Sequence, residues 1–176
     1  MNLNTNRLLL RPWVQEDAAA LYQYASDPEV GPACGWVPHK NQEESRRIIL
    51  TVLSGENTFA VVLKETEEPI GCISLFAGAV CHEGALELGY WLGKPYWGQG
   101  LMAEAARRVI KYGFGQLECP RIWVAHYAGN ERSRRVIEKL GFRREFLREE
   151  ILTSLGERRL TYYFSRYREE ERRDGE

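Results

Sequence analysis

Few cysteines and histidines occur in this sequence, and their spacing matches no common metal site. Cys34, Cys72, Cys81 and Cys119 form no CxxC pair, and the three histidines do not cluster with them. We therefore expect free thiols and no bound metal. The segment after Met1 is polar and lacks the basic and apolar parts of a signal sequence. Free thiols without an export signal predict a cytoplasmic protein.

Long apolar runs and an excess of either charge are also missing. No apolar run approaches the roughly 18 residues of a membrane span. With 24 basic and 25 acidic residues the formal net charge is −1, so nothing favours a nucleic acid or an anionic membrane as partner. A chain of 176 residues, 44% of them hydrophobic, is one domain in size. We expect this domain over residues 1–167 and a charged tail over residues 168–176.

Residues 89–115 contain an apolar strand, a turn with two glycines and a helix, in that order. Gly98 and Gly100 lack the Cβ atoms that would keep a ligand from the backbone, and the first amides of a helix have no intrahelical acceptor. Free N–H groups and the positive helix end therefore point at one spot, which predicts a phosphate or pyrophosphate site. Apolar residues at three- and four-residue spacing indicate the helix, and Glu104 is expected to pair with Arg108 one turn on.

Two kinds of nucleotide-binding loop compete for this turn. A Walker loop requires GxxxxGK[ST], and no Lys-Ser or Lys-Thr follows Gly100, so this hypothesis fails. A dinucleotide loop requires GxGxxG or GxGxxA, which the stretch from Gly98 to Ala103 satisfies. The next strand, residues 121–125, offers no acidic residue to bind a ribose, so the match to a dinucleotide loop is weak.

Three short motifs follow one another here: GYWL at residues 89–92, YWGQG at residues 96–100 and AEA at residues 103–105. In this combination the stretch closely resembles the acyl-coenzyme A site of the GCN5-related N-acetyltransferase (GNAT) superfamily, in particular its ribosomal-protein N-acetyltransferase-like branch. The superfamily pattern is [QR]xxGx[GA]. Trp97 replaces its first residue, as is usual in this branch, and Met102 stands where Gly or Ala is expected.

Two further segments extend the resemblance to most of the chain. Residues 5–30, TNRLLLRPWVQEDAAALYQYASDPEV, are similar to the opening of the same branch. The run from Asn130 to Phe142 matches the superfamily's second coenzyme-binding helix. In that helix Asn130 is a good N-cap, Ser133 lies on the inward face and Gly141 is a good C-terminal stop.

The order of the elements predicts an α/β fold. We expect a single-domain, GNAT-like structure with one mixed, twisted sheet of six or seven strands flanked by helices. The two central strands should be parallel, because a helix crosses between them, and the resemblance implies that they splay apart. Strands are predicted at residues 7–13, 58–63, 70–76, 85–92, 121–125, 142–152 and 158–167. Helices are predicted from a first turn at residues 15–17 to the stop at Asp27-Pro28, over residues 42–53, after Gly100 and after Asn130.

The resemblance implies a role for each part of the site. Acetyl-coenzyme A is the implied cosubstrate, and main-chain groups would hold it: Tyr90, Trp91 and Leu92 the pantetheine arm, and Trp97, Gly98, Gln99, Gly100, Leu101, Met102 and Ala103 the pyrophosphate. Asn130 would contact the coenzyme arm, and Ser133 would protonate the departing thiolate. The two side chains also have structural readings, because Asn130 caps its helix in any case and Ser133 could bond back to the preceding turn.

Two residues are candidates for the acceptor side. Glu87 lies in mid-strand beside the expected splay, where burial raises the pKa of a carboxylate, so it is the candidate base; an ion pair with an arginine on a neighbouring strand is the alternative. Trp36 lies in the Gly- and Pro-rich loop over residues 31–41. This loop resembles the segment that forms the wall of the acceptor pocket in the family. His39 in the same loop is expected to face solvent.

Direct attack of a primary amine on the thioester is the implied reaction. It requires no protein nucleophile, which agrees with the lack of a GxSxG elbow and of a Cys-His pair. The acceptor is left open between a protein N-terminal α-amine and a small molecule such as a polyamine, an amino acid or an antibiotic. Two other hypotheses remain: an acyl-coenzyme A sensor without turnover, and a protein-interaction module that uses the loop around Trp36. The resemblance is also compatible with a homodimer.

Overall fold

The computed structural model of the chain describes residues 1–170. The last six residues of the predicted charged tail, 171–176, lie outside the described residues. The division into a domain over residues 1–167 and a tail therefore stays a prediction.

The described residues form eight strands and four α-helices, with three single-turn 3-10 segments between them. The strands are β1 (Leu3–Asn4), β2 (Leu8–Arg11), β3 (Thr58–Leu63), β4 (Glu68–Phe76), β5 (Leu86–Leu92), β6 (Arg121–Tyr127), β7 (Arg143–Leu152) and β8 (Glu157–Tyr167). The helices are α1 (Ala18–Ala25), α2 (Gln42–Thr51), α3 (Leu101–Gly115) and α4 (Glu131–Lys139). None of these helices combines the length and apolarity needed to cross a bilayer.

All eight strands belong to one sheet in the order β1-β2-β3-β4-β5-β6-β8-β7. Neighbouring strands are antiparallel except β5 and β6, which are parallel with α3 crossing between them. The predicted α/β fold is thus confirmed. The sheet has eight strands rather than six or seven, because Leu3 pairs with Leu10 and so adds β1. A two-residue strand is too short to carry an alternating pattern, so the prediction missed it.

The two parallel strands stay together over three residues only. Their pairing begins at Leu86 and ends where Leu88 faces Val124. Beyond that point β5 continues beside β4 to Leu92, whereas β6 continues beside β8 to Tyr127. The central strands therefore splay apart as expected, and the last residues of β5 have no strand partner on that side.

Helices cover both faces of the sheet and enclose separate cores. On one face α3 and α4 pack over residues that include Leu88 and Ile122, and α4 contributes Ile137 to this core. On the other face α1 and α2 pack around Trp13, and α2 contributes Ile49. The apolar stripe predicted for α3 is confirmed by the burial of Met102, Ala105, Ala106, Val109, Ile110, Gly113 and Phe114. Burial of a large aliphatic side chain of this kind stabilises the fold by about 1.5–3 kcal/mol.

A largely buried ion pair joins β2 to the start of α1, and it generates a stability prediction. Both nitrogens of the Arg11 guanidinium donate to Asp17, at 2.7 and 2.8 Å, and Asp17 also accepts the N–H of Val14 at 3.0 Å. The Asp17→Ala variant leaves the Arg11 charge without its partner, so we expect a loss of about 3 kcal/mol in the free energy of unfolding. Urea denaturation at neutral pH measures this loss.

The matched control is Glu43→Ala, which removes an exposed ion pair with Arg46 on α2. Exposed pairs contribute little, so we expect this variant to change the free energy of unfolding by less than about 1 kcal/mol. Equal losses in the two variants would contradict the structural role of the Arg11–Asp17 pair.

Candidate active site

The splay between β5 and β6 opens into a cavity of about 820 Å³. Neighbouring residues of a strand point to opposite faces of a sheet, so Leu88 and Tyr90 line one half of the cavity and Glu87 and Trp91 line the other. We call the first half the α3 side and the second half the α1 side. The splay thus joins the two faces of the sheet through a single cavity.

The turn before α3 forms one end of the α3 side. Gly98 and Gly100 have φ angles of 77° and 76°, left-handed conformations that favour glycine. Within the described chain, no acceptor receives the main-chain N–H groups of residues 98–103. Met102, the residue that departs from the family pattern, is buried in the core. Its side chain therefore leaves these amides free. Six successive unpaired N–H groups at a helix N-terminus suit a phosphate or pyrophosphate.

The connection between β1 and β2, residues 5–7, holds this turn in place. Glu104, in the first turn of α3, accepts hydrogen bonds from Thr5 Oγ1 at 2.6 Å and from the N–H and Nε of Arg7 at 2.8 and 2.7 Å. Arg7 also donates to the carbonyl oxygen of Gln99 at 3.1 Å. Burial opposes ionisation of Glu104, but these hydrogen bonds outweigh it and lower its pKa. The predicted pair with Arg108 is therefore wrong, because a more distant partner in sequence takes Glu104.

Basic side chains of α4 surround the mouth of the α3 side. Arg132, Arg135 and Lys139 line the cavity, and the guanidinium of Arg132 lies 3.7 Å from the centre of the Trp97 ring. Trp97 in turn donates from Nε1 to the carbonyl oxygen of Leu92 at 2.7 Å. Together with the free amides, these cations make this end of the cavity attractive to an anion.

Ser133 faces the end of β5 deeper in the same half. Its hydroxyl lies 2.9 Å from the hydroxyl of Tyr90, and burial raises the pKa of Tyr90. Asn130 Oδ1 accepts the N–H of Ser133 at 3.1 Å, which confirms the predicted N-cap. Asn130 Nδ2 donates to the carbonyl oxygen of Ala33 at 3.1 Å, so the cap also anchors the loop before α2.

Glu87 lies across the sheet, on the α1 side. The described residues make no hydrogen bond or ion pair with its carboxylate, so the alternative pairing with an arginine does not occur. Its pKa is raised chiefly by burial and further by the nearby carboxylate of Glu150, whereas Arg148 lowers it. A methyl group at Gly78 would overlap Glu87 Oε2, so only glycine leaves room for the carboxylate there.

Acidic and aromatic groups complete the wall around Glu87. Glu150 accepts from the hydroxyl of Tyr163 at 2.9 Å, and both residues line the cavity. Thr161 lines it too, and its buried Oγ1 has no hydrogen-bond partner in the described chain. No group of three or more metal-ligating side chains within residues 1–170 is arranged to hold an ion.

Trp36 lies at the outer part of the α1 side. Its ring meets that of Trp91 edge-on, with 6.0 Å between the centroids, and it lines the cavity. His39 is half-buried rather than solvent-facing, because its Nδ1 lies 2.8 Å from Ser45 Oγ and its ring packs 5.3 Å from Trp36. The loop between α1 and α2 is thereby fixed as a wall.

Comparison with known proteins agrees with this geometry. A family model described as an acetyltransferase (GNAT) domain matches residues 7–143, which is most of the chain. The chain belongs to the GNAT acetyltransferase family. The predicted enzyme class, N-acetyltransferase, and the family resemblance are confirmed by this match.

Individual GNAT relatives match nearly the whole chain. Protein p20 of Bacillus licheniformis, named an N-acetyltransferase, is 35% identical over 168 residues, which cover 93% of this chain and 94% of that protein. A GNAT-family acetyltransferase from Bacillus anthracis shares 28% identity at a TM-score of 0.85, with 96% and 99% of the two chains covered. A structure described as "a putative ribosomal-protein-serine acetyltransferase from Vibrio cholerae" shares 26% identity at a TM-score of 0.78, with 95% and 97% covered.

The structure brings nearly all the candidate residues of this GNAT domain to one cavity. Its wall includes Glu87, Tyr90, Trp91, Leu92, Trp97, Gly98, Gly100, Leu101, Met102, Ala103, Asn130, Ser133 and Trp36. Gln99 is not part of the wall, since its side chain turns away to donate to the carbonyl oxygen of Pro95 at 3.0 Å.

Several residues of the wall were missed at the sequence level. Glu150, Thr161 and Tyr163 belong to the β7–β8 hairpin, whose charged sequence suggests an exposed segment. They lie beside Glu87 only because β8 pairs with β6. The basic residues of α4 carried a signal that could have found them, because Arg132, Arg135 and Lys139 lie at three- and four-residue spacing on one helix face.

The uncompensated burial of Glu87 yields a stability prediction. A carboxylate with a raised folded-state pKa destabilises the fold once it is ionised, and the penalty grows as pH rises through that pKa. We expect Glu87→Gln to unfold at a higher temperature than the parent protein at pH 8, and the difference to shrink toward pH 5. Thermal melts across this range measure the effect.

Glu138→Gln on the exposed face of α4 is the control and should leave the difference between pH 5 and pH 8 unchanged. A Glu87→Gln variant that is less stable than the parent at pH 8 would show that Glu87 is compensated in the folded state.

Proposed function

We propose that the protein transfers the acetyl group of acetyl-coenzyme A to a primary amine, which attacks directly in a ternary complex. The splay of β5 and β6 carries this proposal, because it joins an anion-binding turn on one face of the sheet to a half-buried carboxylate on the other. The coenzyme and the acceptor can therefore meet from opposite sides at the point where the strands separate.

The chain's free groups on the α3 side fit the coenzyme. The amides of residues 98–103 suit its pyrophosphate, and Arg132, Arg135 and Lys139 add positive charge for its phosphates. Residues 89–92 of β5, which pair with β4 but no longer with β6, offer main-chain groups to the pantetheine arm and a backbone amide to the thioester carbonyl. The cosubstrate supplies the activated acetyl group, and Asn130 lies beside its path.

Proton transfer is divided between the two sides. Glu87 accepts a proton from the amine, whose lone pair forms the bond to the carbonyl carbon as the carbon–sulfur bond breaks. Ser133 Oγ gives a proton to the departing thiolate and regains one from solvent through the hydroxyl of Tyr90, while Glu87 releases its proton to solvent. A raised pKa suits Glu87 to this role, because a stronger base removes the proton of an ammonium more readily.

A protein N-terminal α-amine is the acceptor that we favour. Its pKa is near 8, so roughly a tenth is already neutral at pH 7, against less than about a thousandth of a lysine-like amine. A single carboxylate base of moderate strength is therefore enough to deprotonate the α-amine. The Vibrio cholerae relative, described as a ribosomal-protein-serine acetyltransferase, supports the same choice. Trp36 and the unpaired hydroxyl of Thr161 line the path that such a peptide would take. The four free cysteines agree with a cytoplasmic enzyme.

Thiol release from acetyl-coenzyme A tests the acceptor. The panel holds a peptide with a free N-terminal serine or alanine, the same peptide blocked at its N-terminus but carrying a lysine, spermidine and a free amino acid. We expect release with the free α-amine peptide. Release with spermidine or the amino acid alone would make the enzyme a small-molecule acetyltransferase. Coenzyme binding without release from any amine would support a sensor.

Variants of the two proton-transfer groups give the kinetic prediction. We expect Glu87→Gln to lower kcat/KM by roughly 10²–10⁴, the usual contribution of general acid–base catalysis. In the parent enzyme kcat/KM should fall as pH drops through the raised pKa of Glu87, and this limb should be lost in Glu87→Gln. Ser133→Ala should lower kcat by about 10² or more, and Tyr90→Phe by less, since the serine hydroxyl remains.

Glu138→Gln, on the outer face of α4, again serves as control and should leave kcat/KM unchanged. A Glu87→Gln variant with parental kcat/KM and an unaltered pH profile would remove Glu87 from the mechanism.

A further inference from the structure

A buried hydroxyl without a hydrogen-bond partner lies in the wall of the cavity. Thr161, on β8, is 3% exposed, and its Oγ1 has no partner within the described chain. A buried hydroxyl that makes no hydrogen bond destabilises the fold, so native proteins seldom contain one. Proton transfer between the amine, Glu87 and Ser133 gives this hydroxyl no role. Because Thr161 lines the cavity, a ligand there is the partner available to it.

Glu150, on β7, is a carboxylate with one occupied and one unused oxygen. Its Oε1 accepts from Arg148 Nε at 2.7 Å, from Arg148 Nη2 at 2.6 Å and from the hydroxyl of Tyr163 at 2.9 Å. None of the described residues donates to Oε2. The three bonds fix the orientation of the carboxylate, and Glu150 lines the same cavity as Thr161. Oε2 is therefore a fixed hydrogen-bond acceptor that the protein itself does not use.

The register of the sheet places these two groups on one strip of the α1 side. Thr161 faces Arg148 across the β7–β8 pair, and Glu150 is two residues beyond Arg148, so the three side chains share a face. Diagonal neighbours of this kind lie about 7–8 Å apart. Thr161 and Glu150 do not bond to each other, because Oγ1 has no partner. A potential donor and a potential acceptor thus border the cavity side by side.

A peptide group is the ligand that matches this pair. A trans peptide group presents its C=O and its N–H in opposite directions, so its two partners lie on either side of it. The Thr161 hydroxyl can donate to the C=O, whereas an ionised carboxylate can only accept and therefore takes the N–H. Both bonds are needed when a peptide group leaves water, because an unpaired N–H or C=O is costly.

Other amines fit the pair less well. A polyamine has no carbonyl oxygen for the Thr161 hydroxyl. A free amino acid has no amide N–H for Glu150 and carries a carboxylate that Glu150 repels. A polypeptide with a free N-terminus carries its first peptide groups close to its α-amine, and Glu87 lies in the same half of the cavity.

We propose that Thr161 and Glu150 bind one of the first two peptide groups of the acceptor, with Thr161 Oγ1 donating to its carbonyl oxygen and Glu150 Oε2 accepting its N–H. This inference rests on the proposed acetylation of an N-terminal α-amine, and it names the residues that distinguish a polypeptide from other amines. Arg148 and Tyr163 are positioning residues, because they act only by fixing the carboxylate of Glu150.

Removal of the unpaired hydroxyl separates ligand binding from stability. Thr161→Val deletes Oγ1 and keeps a β-branched side chain. Because that oxygen has no partner in the free protein, we expect the melting temperature to stay the same or to rise. The kcat/KM for an α-amine peptide should fall roughly 2- to 10-fold, the usual effect of one hydrogen bond, while KM for acetyl-coenzyme A is unchanged.

Thr161→Ser retains the hydroxyl and serves as the rescue, so its kcat/KM for the peptide should stay near that of the parent. Unchanged kcat/KM in Thr161→Val would show that the hydroxyl meets only water, which overturns its part in the subsite. A lower melting temperature in Thr161→Val would equally contradict the proposal, because it would reveal a structural partner for Oγ1.

Ester analogues of the peptide test the free oxygen of Glu150. One analogue carries an ester at its first linkage and another at its second, which removes one N–H and keeps the carbonyl. For the parent enzyme we expect one of the two esters to lower kcat/KM roughly tenfold, because Oε2 then faces an oxygen instead of a donor.

The Glu150→Gln variant completes a double-mutant cycle with these analogues. Its amide oxygen stays with Arg148 and Tyr163, so its NH₂ group replaces Oε2 and faces the N–H of the peptide. We expect kcat/KM for the all-amide peptide to fall roughly tenfold, and the sensitive ester to cost this variant little more. Glu149→Gln is the matched control, since Glu149 lies on the opposite face of β7 and pairs with Arg158.

The outcomes separate this subsite from the proposed function. Acetyl transfer to the peptide with equal kcat/KM for the amide and both esters would overturn the subsite and leave the proposed function intact. A loss in Glu149→Gln equal to that in Glu150→Gln would also overturn it. No transfer to any α-amine peptide would overturn the proposed acceptor, and the subsite with it.

Discussion

The separation of β5 from β6 is the constraint on which the rest of the site depends. Parallel strands normally pair along their length, but here the ladder ends at Leu88 and Val124 because each strand follows a different antiparallel neighbour. The unpaired main chain that results would be costly in a closed core. Here it borders a cavity that reaches both faces of the sheet, so a ligand on one side can contact a group on the other.

Charge is distributed along this cavity in a way that suits two ligands. Free amides and the cations of α4 lie at the α3 end, whereas Glu87 and Glu150 lie at the α1 end. The turn that carries the amides is fixed by Arg7 and Thr5, which lie between β1 and β2 and bind Glu104. An anionic ligand would therefore be attracted to one end and a cationic ligand to the other, which would limit binding in the wrong orientation.

Much of this arrangement could be predicted from local sequence. Gly98 and Gly100 indicated a turn open to a ligand, Asn130 indicated a helix cap, and the order of strands and helices indicated the parallel pair. Long-range partners could not be predicted, since the residue that binds Glu104 lies 97 positions earlier, at Arg7. Helical spacing favoured Arg108, but the hydrogen bonds from the connection between β1 and β2 prevailed.

Side-chain roles that depend on packing escaped prediction for the same reason. Tyr90 was expected to act through its main chain, yet its hydroxyl also lies beside that of Ser133. His39 was expected in solvent, but it anchors a loop to Ser45. Glu150 approaches Glu87 only after β7 and β8 have joined the sheet, and no local pattern in a charged hairpin indicates where its residues will lie.

A thermal melt with acetyl-coenzyme A, and in parallel with acetyl-pantetheine, is the most direct test of the central claim that the turn before α3 binds the coenzyme through its pyrophosphate. At a hundredfold excess over its dissociation constant, acetyl-coenzyme A should stabilise the fold by about 2.7 kcal/mol and raise the melting temperature. Acetyl-pantetheine at the same concentration lacks the pyrophosphate and should give little shift. No shift with acetyl-coenzyme A, or equal shifts with both compounds, would contradict the claim.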